Sequence, residues 1–202
     1  MWAIITDGNI TETFNNPKGL ILDGARYSKK IFSLWSKSER EAKGLYEVVL
    51  DNTNFKDQAY YINTNQSFAF ADGVVTASYG SSTAKAHADT LFTSDDEDNG
   101  LGTEGEVKVE GLKTTRIRAV KSKAEDILKN TDWYIVRKAD DGTAVPSAIT
   151  THRAAVRTKC SEMVTAITNA ADTPAIETLY TYTKQEDNSV TRPLGELPRL
   201  EV

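Results

Sequence analysis

The chain is poor in the residues that carry most nucleophilic and metal chemistry. It holds one cysteine, Cys160, and two histidines, His87 and His152. One thiol excludes an intramolecular disulfide framework and suits a reducing compartment. One cysteine with two histidines makes no zinc set of the usual spacing. A catalytic triad would need His87 or His152 to meet an activated nucleophile, and no Gly-x-Ser-x-Gly elbow is present. No Gly-rich phosphate loop follows a strand, because Gly100-Leu101-Gly102 lacks the rest of that pattern. No block of basic residues occurs and the net charge is -5, so the footprint of a nucleic-acid binder is missing. No apolar run approaches the roughly 20 residues of a membrane span. The first residues, Met1-Trp2-Ala3-Ile4-Ile5, lack the basic region of a signal peptide. These absences lead us to expect no cofactor, no nucleic-acid partner, no membrane partner and folding in a cytoplasm.

What is present suits one domain or two small ones. Hydrophobic residues make up 39% of the 202 and charged residues 26%. Cores of this size are marginal alone and often complete their burial in an assembly, so a homo-oligomer is an open expectation.

The first part of the chain repeats one grammar, a β-rich run, Asp-Gly, and another β-rich run. It occurs at Asp7-Gly8, Asp23-Gly24 and Asp72-Gly73, and Asp-Gly supplies the positive φ angles of a type I′ hairpin turn. Ser36 and Glu39 form the S-x-x-E capping box before a short helix over 37–43, which Gly44 closes. Further strands are expected at 45–50, 59–62, 67–71 and 74–79. The aromatics of this region, Trp2 and Trp35 among them, are expected in the core, where large rings bury the most surface.

The stretch from Thr93 to Glu106 is acidic and glycine-rich, and reads as a linker or exposed loop. Asp95, Glu97, Asn99, Gly100 and Glu106 also fall at positions 1, 3, 5, 6 and 12 of an EF-hand-type loop. Position 3 is Glu rather than Asp or Asn, and position 8 is Gly102 rather than an apolar residue. A calcium-binding adaptor is therefore an alternative reading, with a solvated linker as the main one.

From Leu112 the period becomes helical. Ile117, Val120, Ala124, Ile127 and Leu128 share a stripe, and one helix is expected over 107–129. Thr131 or Asp132 would cap a short turn carrying Trp133 as a wedge between helices. Pro146 would open a second long helix at its first position, running to 169. Thr173-Pro174 would start a third. Cys160 falls on the apolar stripe of the second helix and reads as a small core residue. Arg153 and Arg157, four apart, share a face. They would clamp a partner's carboxylates or pair internally with Asp132 or Asp140.

The residues around this joint carry a resemblance. Leu128-x-x-Thr131-Asp132-Trp133, Arg137, Pro146 and Arg153-x-x-Val156-Arg157 resemble the tail assembly chaperone domain of tailed bacteriophages, over 110–171. His152 stands where that family usually has Tyr, and the connection through 140–144 is longer. The resemblance implies a non-enzymatic role, as a component of the tail fibre or baseplate or as an assembly chaperone. It implies other phage tail proteins as partners, and a location in the virion or in the host cytoplasm during assembly. A fibre-associated glycan hydrolase is the remaining alternative; it needs two carboxylates about 5–10 Å apart in a cleft, and nothing in the sequence selects two.

The expected fold is α+β. It comprises an antiparallel β module over 1–80 with one short helix, an acidic linker over 81–106, a helical hairpin over 107–183 and a polar extended tail over 184–202. Trp133, Arg153 and Arg157 are the candidate binding residues.

Overall fold

A computed structural model describes residues 1–200. The fold is α+β and divides into two compact units, 1–83 and 84–202.

In the first unit, β1 (Trp2–Thr6), β2 (Asn9–Phe14), β3 (Leu20–Leu22) and β4 (Ala25–Tyr27) are followed by α1 (Ile31–Leu34) and α2 (Lys37–Glu41). Then come β5 (Leu45–Asp51), β6 (Tyr61–Ile62), β7 (Gln66–Ala71) and β8 (Val74–Tyr79). The main sheet has the order β2-β1-β5-β8-β7. The three Asp-Gly turns form as expected, with positive φ at both residues of each. The capping box also forms: Ser36 Oγ accepts from the Glu39 amide, and the Glu39 carboxylate accepts from the Ser36 amide at 2.7 Å. The module is not purely antiparallel, because β5 and β8 run parallel, Val48 opposite Val75. The β7–β8 hairpin returns on the far side of β5, so its second strand meets β5 in the same direction.

Period-two alternation lets β1 feed two cores. Ala3 and Ile5 pack with Val48, Val75 and Ala77. Trp2 and Ile4 pack with Leu20, Leu22, Ile31 and Leu45. Aromatic rings close both clusters edge to face, Trp2 on Phe32 at 4.8 Å and Tyr46 on Phe70 at 5.0 Å. Gly44 has φ +72°, and a Cβ there would lie 2.4 Å from the Ile5 carbonyl oxygen. Only glycine fits this return from α2 into β5.

The short strand β9 (Thr83–Ala84) spans the boundary between the units. The second unit continues with β10 (Thr90–Leu91), α3 (Ser94–Asp98), β11 (Val107–Val109) and α4 (Leu112–Lys129). It ends with α5 (Asp132–Asp141), α6 (Ser147–Asn169), α7 (Thr173–Tyr180), β12 (Thr183–Lys184) and β13 (Val190–Thr191). Helices α4 and α6 pack on each other. Val120 and Ala124 of α4 and Ile149, Val156, Met163 and Ile167 of α6 are buried, at the spacing of one helical face.

Four expectations are corrected here. The helix expected over 107–129 starts at Leu112, because Val107–Val109 pairs with β10 instead. The start is set from outside: the Asp89 carboxylate accepts from the Gly111 amide at 2.6 Å and the Thr114 hydroxyl at 2.8 Å. The acidic stretch is not a linker. It is folded on Phe92, whose ring lies 2.6 Å from where a Gly102 Cβ would sit. Pro146 is the residue before α6 rather than its first, with ψ 140°. The tail over 184–200 is not free. Leu194 and Leu197 are buried, and the Leu194 amide donates to the Leu179 carbonyl at 3.0 Å. The helix α7 forms as expected, capped by Asp172 with Pro174 in its first turn.

Candidate functional site

The joint between α4 and α6 is a polar knot around one guanidinium. Arg153 is 7% exposed. Its Nη1 donates to the Leu128 carbonyl at 2.7 Å and to the Thr131 hydroxyl at 2.7 Å. The same nitrogen lies 2.8 Å from Asp132 Oδ1. Thr131, also buried, donates its hydroxyl back to the Leu128 carbonyl at 3.0 Å. At the end of α4 the Leu128 carbonyl already accepts from the Thr131 amide at 3.0 Å, and Arg153 adds a charged donor to it from α6. A buried charge is tolerated only with such partners.

This geometry overturns one expected role and decides between two readings of another. Thr131 stands at the start of α5 but gives it no side-chain cap, because its hydroxyl is committed to Leu128 and Arg153. Of the two readings of Arg153, a clamp for a partner's carboxylates or an internal pair, the internal pair with Asp132 forms. Arg157, one turn on, is exposed and borders a groove of about 370 Å³ between α4 and α6 with Lys121, Glu125, Leu128 and Cys160. The two arginines are therefore not a pair. Cys160 is half-buried at this groove, and His152 is buried further up α6. Both ring nitrogens of His87 are enclosed without a hydrogen-bond partner.

Trp133 is not a wedge. The segment after Thr131 is a ten-residue helix, not a turn, and none of its residues is buried. Trp133 is 52% exposed, with Ile135 at 43% and Val136 at 66%. The Trp133 ring lies against Tyr134 at 4.1 Å, and the Arg137 guanidinium covers it at 4.5 Å. This stack was missed in the sequence. The readable signal was Asp141-Gly142, since Gly142 with φ 78° ends the helix in the left-handed region. Thr143 holds the Asp141 carboxyl below its ordinary pKa, by its hydroxyl first and by its amide, which donates at 2.8 Å.

The calcium-loop reading is also overturned. Asp95 and Glu97 lie on α3, where residues two apart point to nearly opposite sides rather than inward. Asp96, outside that pattern, caps α3 with Thr93 and bonds Lys108 Nζ at 2.6 Å. Its carboxyl is held below its ordinary pKa by Lys108 first and by the Thr93 amide. Among the described residues no group of three or more His, Cys, Asp or Glu side chains could hold a metal ion. Among them, too, no helix is long and apolar enough to cross a membrane.

The chain matches no family model, no curated protein and no solved structure.

Proposed function

We propose that this chain is a non-enzymatic bacteriophage tail protein that docks to other proteins of the fibre or baseplate. It acts either as a component of the particle or as a chaperone of its assembly. One observation supports this reading. The residues that carry the resemblance, Leu128, Thr131 and Asp132 on one side and Arg153 on the other, lie 22 to 25 residues apart in sequence for the two hydrogen bonds and meet at one nitrogen. A split sequence pattern thus corresponds to one physical unit, a fixed joint between two helices. The outer side of that joint carries Trp133, Ile135 and Val136 with Arg137 stacked on the Trp ring. Trp, Tyr and Arg are the residues enriched where protein interfaces draw most of their energy. On this reading the knot holds α5 in place, and the exposed face of α5 meets the partner tail protein.

The test is quantitative mass spectrometry of two samples: purified phage particles, and precipitates of the tagged chain from infected cells. A structural component appears in particles at fixed stoichiometry. A chaperone is absent from particles but brings fibre or baseplate proteins into the precipitate, and Trp133→Ser with Val136→Ser removes them. If neither sample links the chain to a tail protein, the reading fails.

A further inference from the structure

We propose that the folded acidic lobe formed by β10, α3 and β11 is a second docking surface, and that its occupant is a basic extended segment of another protein. Such a segment would alternate lysine or arginine with aliphatic residues and add as a third strand. This surface is separate from α5 and does not depend on it.

Charge is the first argument. Residues 90–110 hold seven carboxylates, Asp95, Asp96, Glu97, Asp98, Glu104, Glu106 and Glu110, against one basic residue, Lys108; Asp96 is paired with Lys108 and Glu110 with Arg118 of α4, which among the described residues leaves five free to receive a partner's cations. The lobe thus carries -6, while the whole chain carries -5, so the remaining residues, with 23 Lys and Arg against 22 Asp and Glu, carry +1. The negative field of this protein is local to one lobe.

The second argument is an unpartnered apolar ribbon inside that field. Leu91 and Val107 oppose each other across the two strands, and Thr90 opposes Val109. Leu91 is 47% exposed, Val107 47%, Val109 59% and nearby Leu101 62%. The sheet has only these two strands, so among the described residues each keeps an outer edge without a strand neighbour. A two-stranded ribbon is marginal alone, and a third strand adds main-chain hydrogen bonds along with side-chain pockets. Edges are commonly guarded by a lysine. Here Lys108 is drawn back, its ammonium 5.7 Å from the Phe92 ring centroid and bonded to Asp96. That contact also displays how the lobe would receive a partner's lysine, on an aromatic face beside a carboxylate. A second copy of the chain is disfavoured as occupant, because it brings a net charge of -5 to an already negative surface.

The experiment titrates the full chain into a fluorescently labelled peptide of alternating lysine and valine and follows anisotropy. The expected result is binding that weakens with salt, with alternating threonine–valine and lysine–serine peptides at least about tenfold weaker. Leu91→Ser with Val109→Ser, and separately Glu104→Gln with Glu106→Gln, should each weaken the lysine–valine peptide by about tenfold. Both pairs are exposed, and unchanged thermal unfolding confirms that the variants fold. Trp133→Ser should leave the affinity unchanged, so failure here is distinguishable from failure of the α5 reading. Three outcomes overturn the proposal: no binding to the parent chain, a lysine–serine peptide that binds as tightly (charge attraction alone), or a threonine–valine peptide that does so. A dimer seen by light scattering and abolished by Leu91→Ser with Val109→Ser overturns it too, by giving the ribbon to a second copy.

Discussion

Thr131 and Trp133 are two residues apart, yet Thr131 is 3% exposed and Trp133 is 52% exposed. The usual preference is the reverse, polar outside and aromatic inside. The inner side of the joint is closed by polar residues that bond one another, with Arg153 Nε left enclosed and unpaired. Arg153 finds the Leu128 carbonyl, the Thr131 hydroxyl and the Asp132 carboxylate at once. The outer side carries the apolar surface because α5 follows α4 with no further element to cover it, and none of its residues is buried. The comparison separates two jobs that one short motif combines, holding the helices and offering a surface.

Substitutions along the joint should grade from large to small as they move outward. Arg153→Ala removes the donor shared by the Leu128 carbonyl, the Thr131 hydroxyl and Asp132, and opens a void where the buried side chain stood. It should lower the stability of the second unit by about 3 kcal/mol, read as a shift in urea midpoint. A shift below about 1 kcal/mol would mean that the knot does not hold the joint. Thr131→Val keeps the shape but removes the hydroxyl, and should cost about 1–2 kcal/mol. Asp132→Asn removes an ion pair whose carboxylate side chain is 51% exposed, so about 1 kcal/mol or less is expected in the same titration. A cost for Asp132→Asn as large as that for Arg153→Ala would erase the distinction between inner and outer partners.

Asp96 offers a control outside the joint. Its folded-state pKa is depressed, chiefly by Lys108. The stability it contributes is therefore present above the ordinary carboxylate range and lost as pH falls through its folded value. Asp96→Asn should flatten the acid limb of stability against pH in the second unit. If the acid limb is unchanged in Asp96→Asn, the Lys108 pairing does not stabilise the lobe.

Legibility in the sequence followed how local the deciding interaction was. The Asp-Gly hairpins, the Ser36–Glu39 box and the long helix over α6 were readable because each is decided within a few residues. The parallel pairing of β5 with β8 was not, since register between strands more than twenty residues apart leaves no local mark. The start of α4 was misplaced because its capping carboxylate is Asp89, 22 residues before Gly111. At the joint, Trp133 is assigned inward by hydrophobicity alone, and the structure places it outside. Spacing leaves Arg153 open between a partner's carboxylates and an internal pair with Asp132. The internal pair forms, and the Leu128 and Thr131 contacts that bury it lie 22 to 25 residues away, beyond what local spacing shows.

The smallest effect on stability should come from Trp133 itself. Its ring contacts Tyr134 and Arg137 on the same helix, and nothing in α5 is buried. Trp133→Ser forfeits that stack and a half-exposed ring, so the urea midpoint should move by less than about 1 kcal/mol. Burying a Trp would instead have made the cost of its removal roughly 3–5 kcal/mol. The two values are far enough apart for one titration to separate them. A small stability change together with loss of the tail partner from the precipitate assigns Trp133 to the docking face. A large one returns it to the core and removes the outer half of the comparison.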